Sequence, residues 1–237
     1  MIYKILPALL FLTTLTFPSL EIKESKKVAD NQVVATEPTA PVSLADVAYS
    51  QLTGSAVIPN RDVFAKAFQG YQKLKAQGSV SKDIVTVIDF TQSSNTKRLW
   101  VIDLAANKIL FHSLVAHGRN TGNEFAKKFS NVGESYMSSL GFYATGEIYH
   151  GKHGLSLRLD GLQKQLNGNA RNRAIVMHGA DYVSEQFIKQ HSRLGRSLGC
   201  PALPRELTPE IIKMIAGKSL LFIYHPDADN EINSLLS

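Results

Sequence analysis

The clearest periodicity in the chain falls between residues 60 and 78. Val63, Phe64, Ala67, Phe68, Tyr71 and Leu74 recur at spacings of three and four, which puts them on one face of a helix. Asn60 stands where a side chain caps such a helix, and Gly78 stands where it ends. The pattern then changes to one that suits strands. Ile84-Val85-Thr86-Val87-Ile88 is β-branched throughout, and residues 99–104 and 109–115 flank the turn Ala105-Ala106-Asn107-Lys108. Apolar residues occupy both faces of these runs, so largely buried strands are expected. Their short connections favour an antiparallel or mixed sheet over a wound α/β fold.

Residues 118–168 are rich in Gly, Ser, Asn and Tyr. Within them, 141–146 and 149–154 read as strand ends and loops. Aromatics among glycines fit either a binding groove or tight turns of a β domain, and both readings stand. Further on, Val176-Met177-His178 is an apolar run ending in an imidazole. Ser184 predicts the cap of a short helix carrying Phe187 and Ile188. Thr208-Pro209-Glu210 predicts another helix start, with a capping Thr, Pro at the first position and an acid in the first turn. That helix is expected to stop at Gly217, and residues 220–224 form a final strand. The sum is a mainly β domain with a few helices over residues 59–226, followed by a polar tail, 227–237.

The N-terminus has a different character. After Lys4, residues 5–17 are uncharged and mostly apolar. The run is shorter than the ~20 residues needed to span a bilayer, which favours a cleaved secretory signal over 1–20, with an uncleaved anchor as the alternative. No Cys follows it, so a lipoprotein anchor is not expected. Residues 21–58 are polar and irregular, with Lys26-Lys27, Pro38 and Pro41, and read as a flexible arm containing at most a short helix near 44–52. The expected location is periplasmic or secreted, with no membrane span once the signal is removed. The formal net charge is +6, yet no segment interleaves Lys and Arg with aromatics, so nucleic acid is not an expected partner. A basic surface does suit an anionic wall polymer.

Cys200 is the only cysteine in the chain, and exported proteins ordinarily pair their cysteines or have none. A thiol near its reference pKa of ~8.5 needs a base or a positive environment to attack a carbonyl. His178 can supply the base, and Arg193 and Arg196 lie near in sequence. A thiol activated in this way is expected to react well below pH 8.5. Gly199 permits a tight turn in which backbone N–H groups converge on an oxyanion. Pro201 has no N–H, leaving Leu198, Gly199 and Cys200 as the donors. The alternative is a small, inert core cysteine, which the Gly-Cys-Pro setting argues against. His191 is a weaker candidate base, since its helix exposes it. His150-x-x-His153 lacks the Glu and helical setting of a zinc motif. His117-Gly118 reads as a loop after a strand, and His112 as a packed residue. No nucleophile elbow, phosphate loop or dinucleotide fingerprint occurs.

The runs Ser139-Leu140-Gly141-Phe142-Tyr143, Gly154-Leu155-Ser156-Leu157, His178-Gly179-Ala180-x-Tyr182-Val183 and Gly195-Arg196-Ser197-Leu198-Gly199-Cys200-Pro201-Ala202 resemble the YkuD-type catalytic domain of bacterial murein L,D-transpeptidases, in a divergent branch. The resemblance implies a mixed β-sandwich or barrel, no cofactor or metal, and peptidoglycan stem peptides as partners. It implies Cys200 as nucleophile toward the L-centre carbonyl before a terminal D-residue, His178 as base, and the Gly179 carbonyl as the group orienting it. Ser197, Leu198 and Gly199 correspond to the loop shaping the site. A second stem's amine would resolve the thioester into a cross-link, and water would make the protein a carboxypeptidase. A non-catalytic wall-binding protein on the same fold is the other class. Three departures stand out. His178 and Cys200 are 22 positions apart, longer than is usual, so the helix between them reads as an insertion. Leu198 stands where many members have His, and Ala202 where Arg or Asn often holds substrate. Arg196 and Arg173 are the expected replacements, with Tyr143 as a further substrate contact.

Overall fold

In a computed structural model, residues 43–237 are described, together with Ile2. The expected signal and the arm up to residue 42 lie, Ile2 apart, outside the described residues. From residue 43 the arm is folded. Helix α1 (Leu44–Ser50) is capped by the Ser43 side chain and buries Ala45 and Ala48. Tyr49 packs on Phe64 with ring centroids 5.5 Å apart, and Trp100 donates its indole N–H to the Val57 carbonyl at 3.1 Å. Tertiary anchors of this kind leave no trace in local composition, which is why the segment reads as an arm.

Helix α2 (Arg61–Ala76) starts as its sequence predicts, with the Asn60 side chain accepting the N–H groups of Asp62 and Val63. Its apolar face lies on the sheet so closely that a Cβ on Gly70 would stand 2.3 Å from the Phe142 ring. Phe142 in turn stacks on Phe222 at 4.4 Å.

The sheet has eight strands: β1 (Ile84–Asp89), β2 (Leu99–Asp103), β3 (Lys108–Ser113), β4 (Gly141–Gly151), β5 (Gly154–Gly161), β6 (Val176–Ala180), β7 (Ala202–Pro204) and β8 (Leu220–Tyr224). They lie in the order β3-β2-β1-β8-β4-β5-β6-β7. The β1–β8 and β6–β7 pairs are parallel and the rest antiparallel, so the sheet is mixed, as expected. The β4–β5 hairpin takes in both glycine-rich runs read as strand ends and loops. The first half of β4 is buried and its second half mostly exposed, so no single period runs through that strand. A main core holds Trp100, Phe142, Leu157 and Phe222. A smaller cluster of Leu114, Ala116, Ala180, Val183, Leu194 and Ala202 lies under the β6–β7 edge.

Two terminal details differ from the sequence reading. Helix α3 (Glu185–His191) is capped by Ser184 as expected. Helix α4 (Thr208–Ile215), however, is preceded by Leu207, which makes no side-chain cap; Thr208 is its first residue and Pro209 its second. The Thr208 hydroxyl is buried and donates to the Pro204 carbonyl at 2.8 Å, so it is not free to cap. The expected polar tail is helix α5 (Asp229–Leu236), whose Ile232 is buried and whose Asp229 pairs with Lys66 of α2 at 2.5 Å. Its apolar residues are spaced for one helical face, a weak signal in so short a stretch. Among the described residues no helix is long and apolar enough to cross a membrane.

Candidate active site

Strands β6 and β7 run side by side, with His178 opposite Ala202. Cys200 lies two residues before that register point, and this brings thiol and imidazole into the walls of one cleft of about 400 Å³. A larger depression of about 680 Å³ between α2 and α5 contains neither residue type and offers no comparable chemistry.

The loop carrying Cys200 is held from several sides. Ser197 donates its N–H to the His117 carbonyl at 2.9 Å and accepts the Arg119 N–H at 2.8 Å. Its hydroxyl donates to the Cys200 carbonyl at 2.6 Å and accepts the Gly199 N–H at 3.0 Å. Ser138 accepts the Gly118 N–H and donates to the Gly199 carbonyl at 3.2 Å. Gly199 has φ +122°, and a Cβ there would lie 2.8 Å from the Met137 carbonyl, so only glycine fits. Since the Gly199 N–H is committed to Ser197, the expected set of three oxyanion donors reduces to Leu198 and Cys200. Leu198 is about half exposed at the cleft edge.

His178 is buried, and its Nδ1 lies 3.0 Å from the Gly179 carbonyl. A carbonyl only accepts, so Nδ1 carries the hydrogen and Nε2 keeps its lone pair. Gly179 is required by packing as well, since a Cβ would meet the Thr208 hydroxyl at 2.7 Å. Burial favours the neutral form of both groups. Burial pushes the Cys200 thiol above its ordinary pKa, against the opposing pull of the Val176 N–H, Arg173 and Lys152. Burial likewise holds His178 below the usual imidazole value, with His153, Arg205 and Lys152 adding to the effect. Desolvation thus works against the expectation of a thiol reactive well below pH 8.5, and the nearby cations work for it. Those cations are Arg173 and Lys152, not Arg193 and Arg196 as proximity in sequence suggests.

The other expected site residues divide. Arg173 lines the cleft, but its guanidinium is occupied by the Ser130 and Met137 carbonyls, both at 2.6 Å, and by the Ser135 and Ser139 hydroxyls. It braces the 130–139 loop behind the thiol. Arg196 lies at the cleft edge and donates to the Arg119 and Gly122 carbonyls and to Asn123 Oδ1 at 2.7 Å. Tyr143 is fully buried with its hydroxyl on Ser139 at 2.8 Å, so it is a packing residue and cannot touch substrate. His191 packs on Phe187 of its own helix, and His112 stacks on Trp100. His117-Gly118, read as a plain loop, is a wall of the Cys loop. Of the run 149–154, whose aromatics among glycines fitted either a groove or tight turns, Tyr149, Lys152 and His153 line the cleft. Tyr182, just after His178-Gly179, lines it too and was not singled out as a cleft residue.

Residues 56–224 match the L,D-transpeptidase catalytic domain family designated YkuD_2. The chain belongs to that family. No curated protein matches it. Similar solved structures include an L,D-transpeptidase from Mycobacterium smegmatis, 10% identical over 60% of this chain and 59% of that one, with TM-score 0.39. The helical cell shape determining protein Pgp2 from Campylobacter jejuni is 14% identical over 72% of this chain and 61% of that one, with TM-score 0.40. An Enterococcus faecium L,D-transpeptidase mutant is 11% identical over 60% and 50% respectively, with TM-score 0.38. The chain thus spans less than two thirds of the length of each. As a member of the L,D-transpeptidase catalytic domain family it presents a cleft lined by Lys152, Arg173 and Arg196, with no Asp or Glu in the lining among the described residues.

Proposed function

We propose that this protein is an exported cysteine acyltransferase of the cell envelope, periplasmic or secreted, acting on peptidoglycan stem peptides by L,D-transpeptidation. The observation that carries this reading is the shared cleft of Cys200 and His178, with the His178 ring oriented by the Gly179 carbonyl. The cationic lining supports a donor that ends in a carboxylate, as a stem peptide does.

In the first half-reaction the thiol proton moves to His178 Nε2 as Sγ attacks the L-centre carbonyl. The Leu198 and Cys200 N–H groups are the available donors to the developing oxyanion. Collapse breaks the C–N bond, and the proton on His178 passes to the departing D-residue amine, leaving a thioester on Cys200. In the second half-reaction the acceptor amine attacks the thioester and loses its proton to His178. The new amide forms, and the sulfur takes the proton back. Because burial favours the neutral thiol and imidazole, the imidazole acts as a general base during attack and not as one half of a standing ion pair.

The test is mass spectrometry of the purified protein incubated with a disaccharide tetrapeptide, beside Cys200→Ala. A cross-linked dimer that requires Cys200 is the expected product. A tripeptide alone would make the protein a carboxypeptidase, and no turnover in either would leave a wall-binding protein.

A further inference from the structure

The turn between β4 and β5 places His153 against the base. Its ring lies face to face with that of His178, centroids 4.4 Å apart and planes 20° from parallel, and both rings line the cleft. His178 is buried while His153 is exposed, so the outer ring screens the inner one from solvent.

We propose that His153 is a positioning residue for His178: its neutral ring clamps the imidazole in plane, and its protonation opposes proton uptake by the base. The proposal rests on the assignment of His178 as base. A stacked ring restrains tilt about the Nδ1–H···O=C hinge to Gly179, which keeps Nε2 directed into the cleft. The imidazolium formed during attack needs a neighbour without like charge, and a neutral aromatic face provides one. A protonated His153 at 4.4 Å would repel it. Every other charged group named around the two rings is cationic or compensated. Lys152 sits on the same turn, Arg173 behind the thiol, and Arg205 beyond β7 pairs with Asp181 at 2.8 Å. Among the described residues no carboxylate lines the cleft to offset a second proton in this stack.

The experiment compares wild type, His153→Ala and His153→Phe, in turnover of the tetrapeptide and in the NMR titration of the His178 ring. His153→Ala is expected to lower turnover roughly tenfold, and the flat ring of His153→Phe to recover most of that loss. The His178 midpoint is expected to rise in His153→Ala, because both the screening and the repulsion disappear, and to rise less in His153→Phe, which keeps the screening. Identical midpoints in all three, or full turnover in His153→Ala, would overturn the proposal. If wild type gives no Cys200-dependent product, the assignment of function falls instead. The titration then still decides whether the two rings are coupled, and uncoupled rings would overturn the proposal on their own.

Discussion

Gly199 shows how narrowly the residues around the thiol are specified. Its φ of +122° and the nearby Met137 carbonyl leave no room for a side chain, so Gly199→Ala must move the backbone that presents Cys200. The expected result is a stability loss of about 1–3 kcal/mol in denaturant titration, with Cys200 alkylation slowed beyond what that loss explains. Unchanged alkylation would mean that the loop geometry is irrelevant to the thiol. At this scale the sequence was informative wherever the signal is local. Cys200 was marked by being alone, Gly199 by preceding it, and His178-Gly179 by ending an apolar run. Ser138 escaped notice because it reaches the Cys loop from another part of the chain, and for Lys152 and His153 local pattern left groove and turn equally open. Tyr143 was misjudged for a related reason: a tyrosine among glycines looks the same in a groove wall and in a core.

Helices α2 and α3 and the strands of the first meander were legible at the scale of the element, since each carries its own periodicity or cap. The β4–β5 hairpin was less so, because β4 is buried in its first half and mostly exposed in its second, and β7 is only three residues long and depends on β6 for its form. Helix α5 was hidden by its polar surface. Its single buried anchor suggests a direct measurement. Ile232→Ala removes a fully buried side chain at the main core and is expected to cost about 3 kcal/mol in urea unfolding. Turnover per folded molecule should be unchanged, as Ile232 is not among the residues lining the cleft. A cost near zero would mean that the C-terminal segment is a tail after all.

Over the whole molecule, the mixed sheet and mainly β character followed from the sequence, while strand order did not, because long-range pairing is written in no local pattern. One buried group makes a definite contribution to the molecule's response to acid. His117 is held near an imidazole pKa of about 3 by burial first and then by Arg98, whose guanidinium lies 2.8 Å from its Nδ1. The unfolded chain takes up this proton near pH 6.5 while the folded chain refuses it, so unfolded protein binds more protons between about pH 6.5 and 3. Stability contributed by the neutral ring is thus complete above pH 6.5 and is lost progressively as pH falls toward 3. Thermal melts across this range should show a falling Tm, and the slope should be shallower in His117→Gln. Parallel slopes for the two proteins would assign acid sensitivity elsewhere.

The neighbouring parallel strands β6 and β7 carry a consequence for how such proteins diverge. A backbone ladder keeps adjacent strands about 4.8 Å apart whatever chain connects them. The crossover containing α3 can therefore lengthen or shorten over generations while sulfur and ring stay in reach of each other. Counting positions between two reacting residues then measures the history of a connector and says little about the chemistry at its ends.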